Sequence, residues 1–308
     1  MDWTQQIELA AGRIKGHVQV TPVMTSDAVW DSPVDLKLEQ TQHMGSFKTR
    51  GAFNTLIGSD VPSAGIVAAS GGNHGAAVAY AARSLGYAAR IFVPEIAGPA
   101  KIALIESAGA DLTVVPGQYA DAAAMAAEYE QKTGAMQVHP YDAQLTVAGQ
   151  GTVLREWEDQ GLTADTVLIA VGGGGLIAGA LAWAQGHSAR KIIAVEPETC
   201  NALDAALKAG EPVDVPISGV AANALGARRI GSICYDLAKA SGTSVALVPD
   251  KAIEDAQSVL WRAHRQLVEP AGACALAALR CGAYLPSAGE RVAVLVCGGN
   301  IAPDPLAN

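Results

Sequence analysis

Continuous apolar runs rich in valine, isoleucine and leucine alternate along this chain with alanine-rich stretches of helical spacing. The runs predict strands at 35–40 (DLKLEQ), 65–70 (GIVAAS), 89–95 (ARIFVPE), 111–117 (DLTVVPG), 166–171 (TVLIAV), 191–197 (KIIAVEP), 244–250 (SVALVPD) and 291–297 (RVAVLVC). Helices are predicted at 76–86, ending on Gly86, and at 99–109, 119–134, 151–161, 175–186, 200–210, 253–267 and 273–279. Strands that are apolar throughout, separated by helices, imply parallel sheets covered on both faces. In such α/β folds ligands sit at the carboxyl ends of the strands.

Composition narrows the function classes. Of 308 residues, 50% are apolar and 17% charged, which is a globular composition with material for a large core. The net charge is −9 and no basic block occurs, so nucleic-acid binding is not expected. Five cysteines (Cys200, Cys234, Cys274, Cys281 and Cys297) include no CxxC pair, which argues against a disulfide framework or zinc knuckle and for a reducing compartment. The N-terminal MDWTQQIELAAGRIKG is amphipathic, without the apolar core of a signal peptide, and no apolar run could cross a bilayer. A cytoplasmic protein is expected.

Four loops at predicted strand ends carry the candidate chemistry. They are HMGSFKTRGAFN (43–54), SGGNHG (70–75), GGGG (172–175) and CGGN (297–300). Successive glycines let the backbone approach a ligand, and N–H groups at a helix start favour an anion such as phosphate. Gly173, Gly175 and Ala178, with Glu196 at the end of the next strand, also fit the G-x-G-x-x-A dinucleotide pattern, so an NAD-dependent oxidoreductase stands as one reading. Tight helix–strand packing is another. Neither explains Lys48, set between Phe47 and Arg50. A single ligand with a phosphate, an aldehyde and a substituted pyridine ring accounts for all four loops, and that ligand is pyridoxal 5′-phosphate.

The segments GSFKTRGA, SGGNHG, GGGGLIAG, EPAGA (269–273) and CGGN occur in the order found in the serine/threonine dehydratase family of fold-type II pyridoxal-phosphate enzymes, which the chain resembles from about residue 20 to its end. The resemblance implies that Lys48, with Phe47 beside it, holds the cofactor aldehyde and, once freed, takes the α-proton of the substrate. It implies a phosphate site at Gly172, Gly173, Gly174, Gly175 and Leu176, a bond from Asn73 to the ring hydroxyl, and Cys297 facing the ring nitrogen. A neutral thiol there supplies no negative charge. Ser70, Gly71, Gly72, Asn73 and His74 would grip the substrate carboxylate through their backbone, with His74 shaping the loop rather than moving a proton.

Two departures from the family pattern sharpen the expectation. Gly71 stands where racemases of the family carry a serine that delivers a proton to the second face, so elimination is favoured over racemisation. Some relatives bind a divalent cation. Here Glu196 and the Cys200 carbonyl are in place, but Ala202 stands at the third, acidic position, with Asn201 or Asp204 as substitutes. His17, His187 and His264 have no ligand spacing. His139 reads as structural or as lining the entrance, and Arg50 as pairing near the site.

The resemblance implies two α/β domains of three layers each. A large one comprises 1–57 plus 143–308, and a small mobile one, 58–142, carries the carboxylate loop. It implies a homodimer, and a dehydratase that turns L-threonine or L-serine into a 2-oxo acid and ammonia. Other hydroxy amino acids (3-hydroxyaspartate, phenylserine, a hydroxyectoine-pathway intermediate) and β-replacement are alternatives. A non-catalytic binding protein would leave Lys48 incidental. No segment follows the last predicted strand, so control by isoleucine through a C-terminal regulatory domain is not expected.

Overall fold

The strands of the computed structural model, which describes residues 1–187 and 190–301, fall into two sheets. They are β1 (Val23–Ser26), β2 (Val34–Leu38), β3 (Ile66–Ala69), β4 (Ala89–Pro94), β5 (Asp111–Val115), β6 (Met136–Gln137), β7 (Thr166–Ala170), β8 (Lys191–Pro197), β9 (Val245–Val248) and β10 (Val292–Val296). One sheet has the order β1-β2-β10-β7-β8-β9 and the other β5-β4-β3-β6. All pairs are parallel except the hairpin of β1 and β2. At the centre of the larger sheet, Val294 pairs with Leu36 on one side and Leu168 on the other, and all three are fully buried. This is why β10 and β7 carry no polar face.

The helices are α1 (Trp3–Ile14), α2 (Lys48–Ile57), α3 (Asn73–Leu85), α4 (Pro99–Ser107), α5 (Tyr119–Thr133), α6 (Gln144–Asp159), α7 (Gly175–His187), α8 (Ala202–Ala209), α9 (Ala222–Leu225), α10 (Ser232–Ser241), α11 (Asp250–His264) and α12 (Pro270–Arg280). Every strand expected from the sequence is present. Three departures have physical causes. The lysine segment is not a loop: from Lys48 onward it is helix α2. Helix α6 begins at Gln144 rather than 151, although Gly149 and Gly151 lower its intrinsic propensity. Packing overrides propensity there, because a Cβ on Gly149 would lie 2.7 Å from the Cα of Gly51, and one on Gly179 2.7 Å from the Val147 carbonyl. These glycines let α2, α6 and α7 cross closely. Helix α11 stops at His264 because Arg265 turns to φ 56°.

A buried ion network fixes α2. Arg50 donates to Glu39 at 2.7 and 2.8 Å and to Glu156 at 2.9 Å, and Lys37 donates to Glu156 at 2.6 Å. Lys37, Glu39 and Arg50 are 1% exposed or less, so each charge relies on the others for compensation. The network ties α2 to the end of β2 and to α6, one turn from Lys48. Among the described residues, no helix is long and apolar enough to cross a membrane.

Candidate active site

Four segments at the carboxyl ends of β2, β3, β7 and β10 meet. Phe47 N–H donates to the Cys297 carbonyl at 3.2 Å, and Gly299 N–H to the Gly45 carbonyl at 2.9 Å. Asn300 joins the third segment, donating through Nδ2 to the Met44 carbonyl at 2.7 Å and to Asn73 Oδ1 at 2.9 Å. Lys48 joins the fourth indirectly: its Nζ donates to the Pro140 carbonyl at 2.8 Å, and the next residue, Tyr141, packs on the tetraglycine. Lys48, Gly71, Gly72, Asn73, Gly172 and Gly173 are partly exposed while the strands beneath them are buried, so the four ends border an open groove.

Lys48 opens α2 and lies 5.2 Å from the Phe47 ring centroid. Part of the side chain is exposed, but the amine sits deep enough that desolvation brings its pKa down to about 8, against the opposing influence of Cys297 and Glu269. A substantial fraction of neutral amine near pH 8 is what a nucleophile or proton acceptor needs.

The tetraglycine is enclosed where side chains would otherwise begin. A Cβ on Gly172 would lie 2.9 Å from Leu225 Cα, and one on Gly175 3.0 Å from Tyr141 Cα. One on Gly173 would overlap the Tyr141 ring, and one on Gly174 the Cys234 thiol. Gly174, at φ 93°, also needs glycine for its backbone. The N–H groups that open α7 have no side-chain cap from Gly174, which suits a phosphate.

Asn73 is clamped at both ends of its amide. Asn300 holds Oδ1, and Nδ2 donates to Glu269 Oε1 at 2.5 Å. Glu269 is 3% exposed, and burial raises its pKa to about 7, offset by the Asn73 bond and by Lys101 and Lys48. Cys297 donates its thiol hydrogen to the Ala271 carbonyl at 3.3 Å, and burial pushes its pKa up, so it stays neutral. Ser46 Oγ is buried with no hydrogen-bond partner among the described residues. His74 bonds the Val138 carbonyl through Nε2 at 2.9 Å, and burial next to Lys48 pushes its pKa down to about 3. The ring is therefore neutral near pH 7, and its bond ties the start of α3 to Val138.

Gly71 differs from its neighbours: a Cβ there would lie 2.5 Å from Ala97 Cβ and 3.3 Å from Pro94 Cδ. Glu196 and Cys200 are not drawn into the four-segment cluster by any bond. Glu196 accepts from Leu203 and Asp204 N–H at 2.8 and 2.9 Å and so caps α8, while Cys200 donates to the Ser218 carbonyl. Glu196 is fully buried with both oxygens turned to the start of α8, so it does not present a carboxylate to a ribose, which removes the support it gave to the dinucleotide pattern. Pro140, Tyr141, Asn300 and the inward role of Glu269 were not read from the sequence. EPAGA and CGGN contained Glu269 and Asn300, but neither segment carried geometry.

An amine of lowered pKa, a glycine cradle at a helix start, a clamped amide and an orphaned hydroxyl form a donor set that fits pyridoxal 5′-phosphate. Comparison with known proteins agrees. The model of the pyridoxal-phosphate dependent enzyme family matches residues 14–298. A phenylserine dehydratase of Ralstonia pickettii is 35% identical over 94% of this chain and 90% of its own length. A biosynthetic L-threonine dehydratase of Mycobacterium leprae is 37% identical over 96% of this chain and 71% of its own. The solved structure of maize serine racemase superposes with a TM-score of 0.91 at 32% identity, over 97% of this chain and 93% of that one.

Proposed function

Since this chain belongs to the family of pyridoxal-phosphate dependent enzymes, in its serine/threonine dehydratase group, we propose that the four-segment site removes water from L-threonine or L-serine. The reaction is an α,β-elimination of water whose enamine product takes up water again and hydrolyses to a 2-oxo acid and ammonia. The observation that carries this assignment to particular residues is the Lys48 amine, held at the meeting of the four segments with a pKa of about 8.

Lys48 would hold the cofactor aldehyde, the N–H groups from Gly172 to Leu176 its phosphate, and the free Nδ2 hydrogen of Asn73 its phenolic oxygen. Bound there, the cofactor supplies the electron sink for the pair left when the α-proton departs. Released by the incoming amine, Lys48 Nζ takes that proton from the α-carbon and carries it while the β-hydroxyl leaves. The Cys297 thiol, its hydrogen committed to Ala271, places no negative charge at the ring nitrogen. The backbone from Ser70 to His74 holds the substrate carboxylate at the start of α3. With no side chain at Gly71, nothing at that position returns a proton to the second face, and elimination prevails over racemisation.

Residues 58–142, which contain the smaller sheet, act as a unit that closes over the substrate and excludes water. The protein works as a cytoplasmic homodimer. Glu196 keeps its capping role, and catalysis does not depend on a divalent cation there. The test is 2-oxo acid formation from L-threonine, L-serine, phenylserine and 3-hydroxyaspartate, with Lys48→Ala as blank. Turnover of threonine or serine that vanishes in the variant supports the reading. A cofactor-loaded protein that yields no 2-oxo acid from any of them overturns it in favour of β-replacement.

A further inference from the structure

Lys101 is a buried lysine that none of these steps uses. It lies on α4 and is 5% exposed, and its ammonium donates to the Asn223 carbonyl on α9 at 3.2 Å. Helix α4 packs on α3 and β5, in the layer of the smaller sheet, whereas α9 packs on α12 beneath the larger one. The bond therefore spans the groove between the two sheets. Among the described residues, one carbonyl satisfies one of the three ammonium hydrogens and no carboxylate lies within salt-bridge distance of Lys101, although Glu269 is near enough to favour its charge. A buried cation held this loosely is costly unless a further acceptor reaches it.

The ammonium faces the start of α3. A side chain on Gly72 would begin 3.8 Å from Lys101 Nζ and 3.7 Å from the Asn223 carbonyl oxygen. Gly72 is the cap residue of α3, and it has no side chain to bond the N–H groups that open that helix. Gly71, Gly72 and Asn73 are partly exposed, so the gap is reachable from the groove. Oriented N–H groups, the positive end of a 13-residue helix and a desolvated ammonium thus converge on one small space.

We propose that Lys101 is a substrate-binding residue: its ammonium, aimed by the Asn223 carbonyl, pairs with the α-carboxylate of the amino acid held at the start of α3. The inference rests on the dehydratase reading of the site and adds to it the group that selects amino acids over plain amines. Because Lys101 and Asn223 come from opposite sides of the groove, an engaged carboxylate also favours the closed arrangement.

The test uses the cofactor-loaded protein and two ligands without a reactive β-substituent, L-alanine and its carboxylate-free counterpart ethylamine. Binding is read from the change in cofactor absorbance. Lys101→Met weakens L-alanine binding roughly 10- to 100-fold, the range for losing a charged hydrogen bond, and leaves ethylamine within about twofold. Lys101→Arg restores much of the loss. Equal weakening of both ligands, or no change in either, overturns the proposal and leaves Lys101 as a strut between helices. Should Lys101→Met not fold, Lys101→Gln and Lys101→Arg carry the same comparison. A wild-type protein whose absorbance responds to neither ligand contradicts the cofactor reading itself, a distinct failure.

Discussion

The ammonium of Lys48 donates to the backbone carbonyl of Pro140 at 2.8 Å, joining the start of α2 to the segment that crosses from the smaller sheet back to the larger one. A neutral carbonyl compensates a buried charge far less than a carboxylate does, and this is why desolvation wins and the amine titrates near 8. Pro140 in turn sets Tyr141 against Gly173 and Gly175. One short segment thus positions both the Lys48 amine and the tetraglycine.

On the proposed mechanism the neutral amine is the proton acceptor, so kcat should rise with pH through a value near 8 and level off above it. At pH 7 only about one free amine in ten is neutral at that pKa. A pH–rate profile with α-deuterated substrate checks this. A kcat independent of pH from 6 to 9, with the isotope effect retained, contradicts the assignment. Glu269, raised to about 7, titrates in the same window, and Glu269→Gln separates the two.

Gly173→Ala should weaken cofactor binding by at least tenfold, since its methyl group overlaps the Tyr141 ring and moves either that ring or the cradle. Equilibrium dialysis measures the loss. The double variant Gly173→Ala with Tyr141→Ala should recover part of it, because the obstacle is the ring.

Gly71→Ser alone should not create a racemase. Its Cβ would sit 2.5 Å from that of Ala97, so the serine displaces the loop instead of entering the groove intact. Chiral chromatography of serine after incubation with the variant reads this directly. Appreciable D-serine from the single variant would show that the loop yields easily.

Glu39→Gln should destabilise the protein by about 3–5 kcal/mol, because it leaves Arg50 buried without its fully enclosed counter-charge. Denaturant titration measures it. Glu196 bears on stability differently. Its pKa is raised from 4.5 to about 8 by burial, so the folded state binds more protons than the unfolded one between those values. The unfolding free energy therefore falls as pH climbs through that window, and Glu196→Gln should flatten that slope.

The strands and most helices were legible because apolar runs such as VLIAV and AVLVC have no polar positions to confuse the period. The start of α6 was not, because Gly149 and Gly151 look like breakers until the closeness of Gly51 and Gly179 is known. Residues 211–243, where α9 and α10 form, have short and mixed patterns, so α10 was missed and with it the packing of Cys234 on Gly174. At the site, Lys48, the tetraglycine and Asn73 stood out by residue type alone, and the structure brings their segments together. Asn300, Pro140 and Glu269 act through bonds to residues 92 to 256 positions away, and sequence spacing does not encode such pairings.

The claim that Lys48 carries the cofactor can be tested without turnover. The loaded protein is treated with borohydride, digested, and its peptides mapped by mass spectrometry. One peptide bearing the reduced pyridoxyl phosphate adduct is expected, with the added mass on Lys48. An adduct on Lys101 or any other lysine, with Lys48 unmodified, would contradict it.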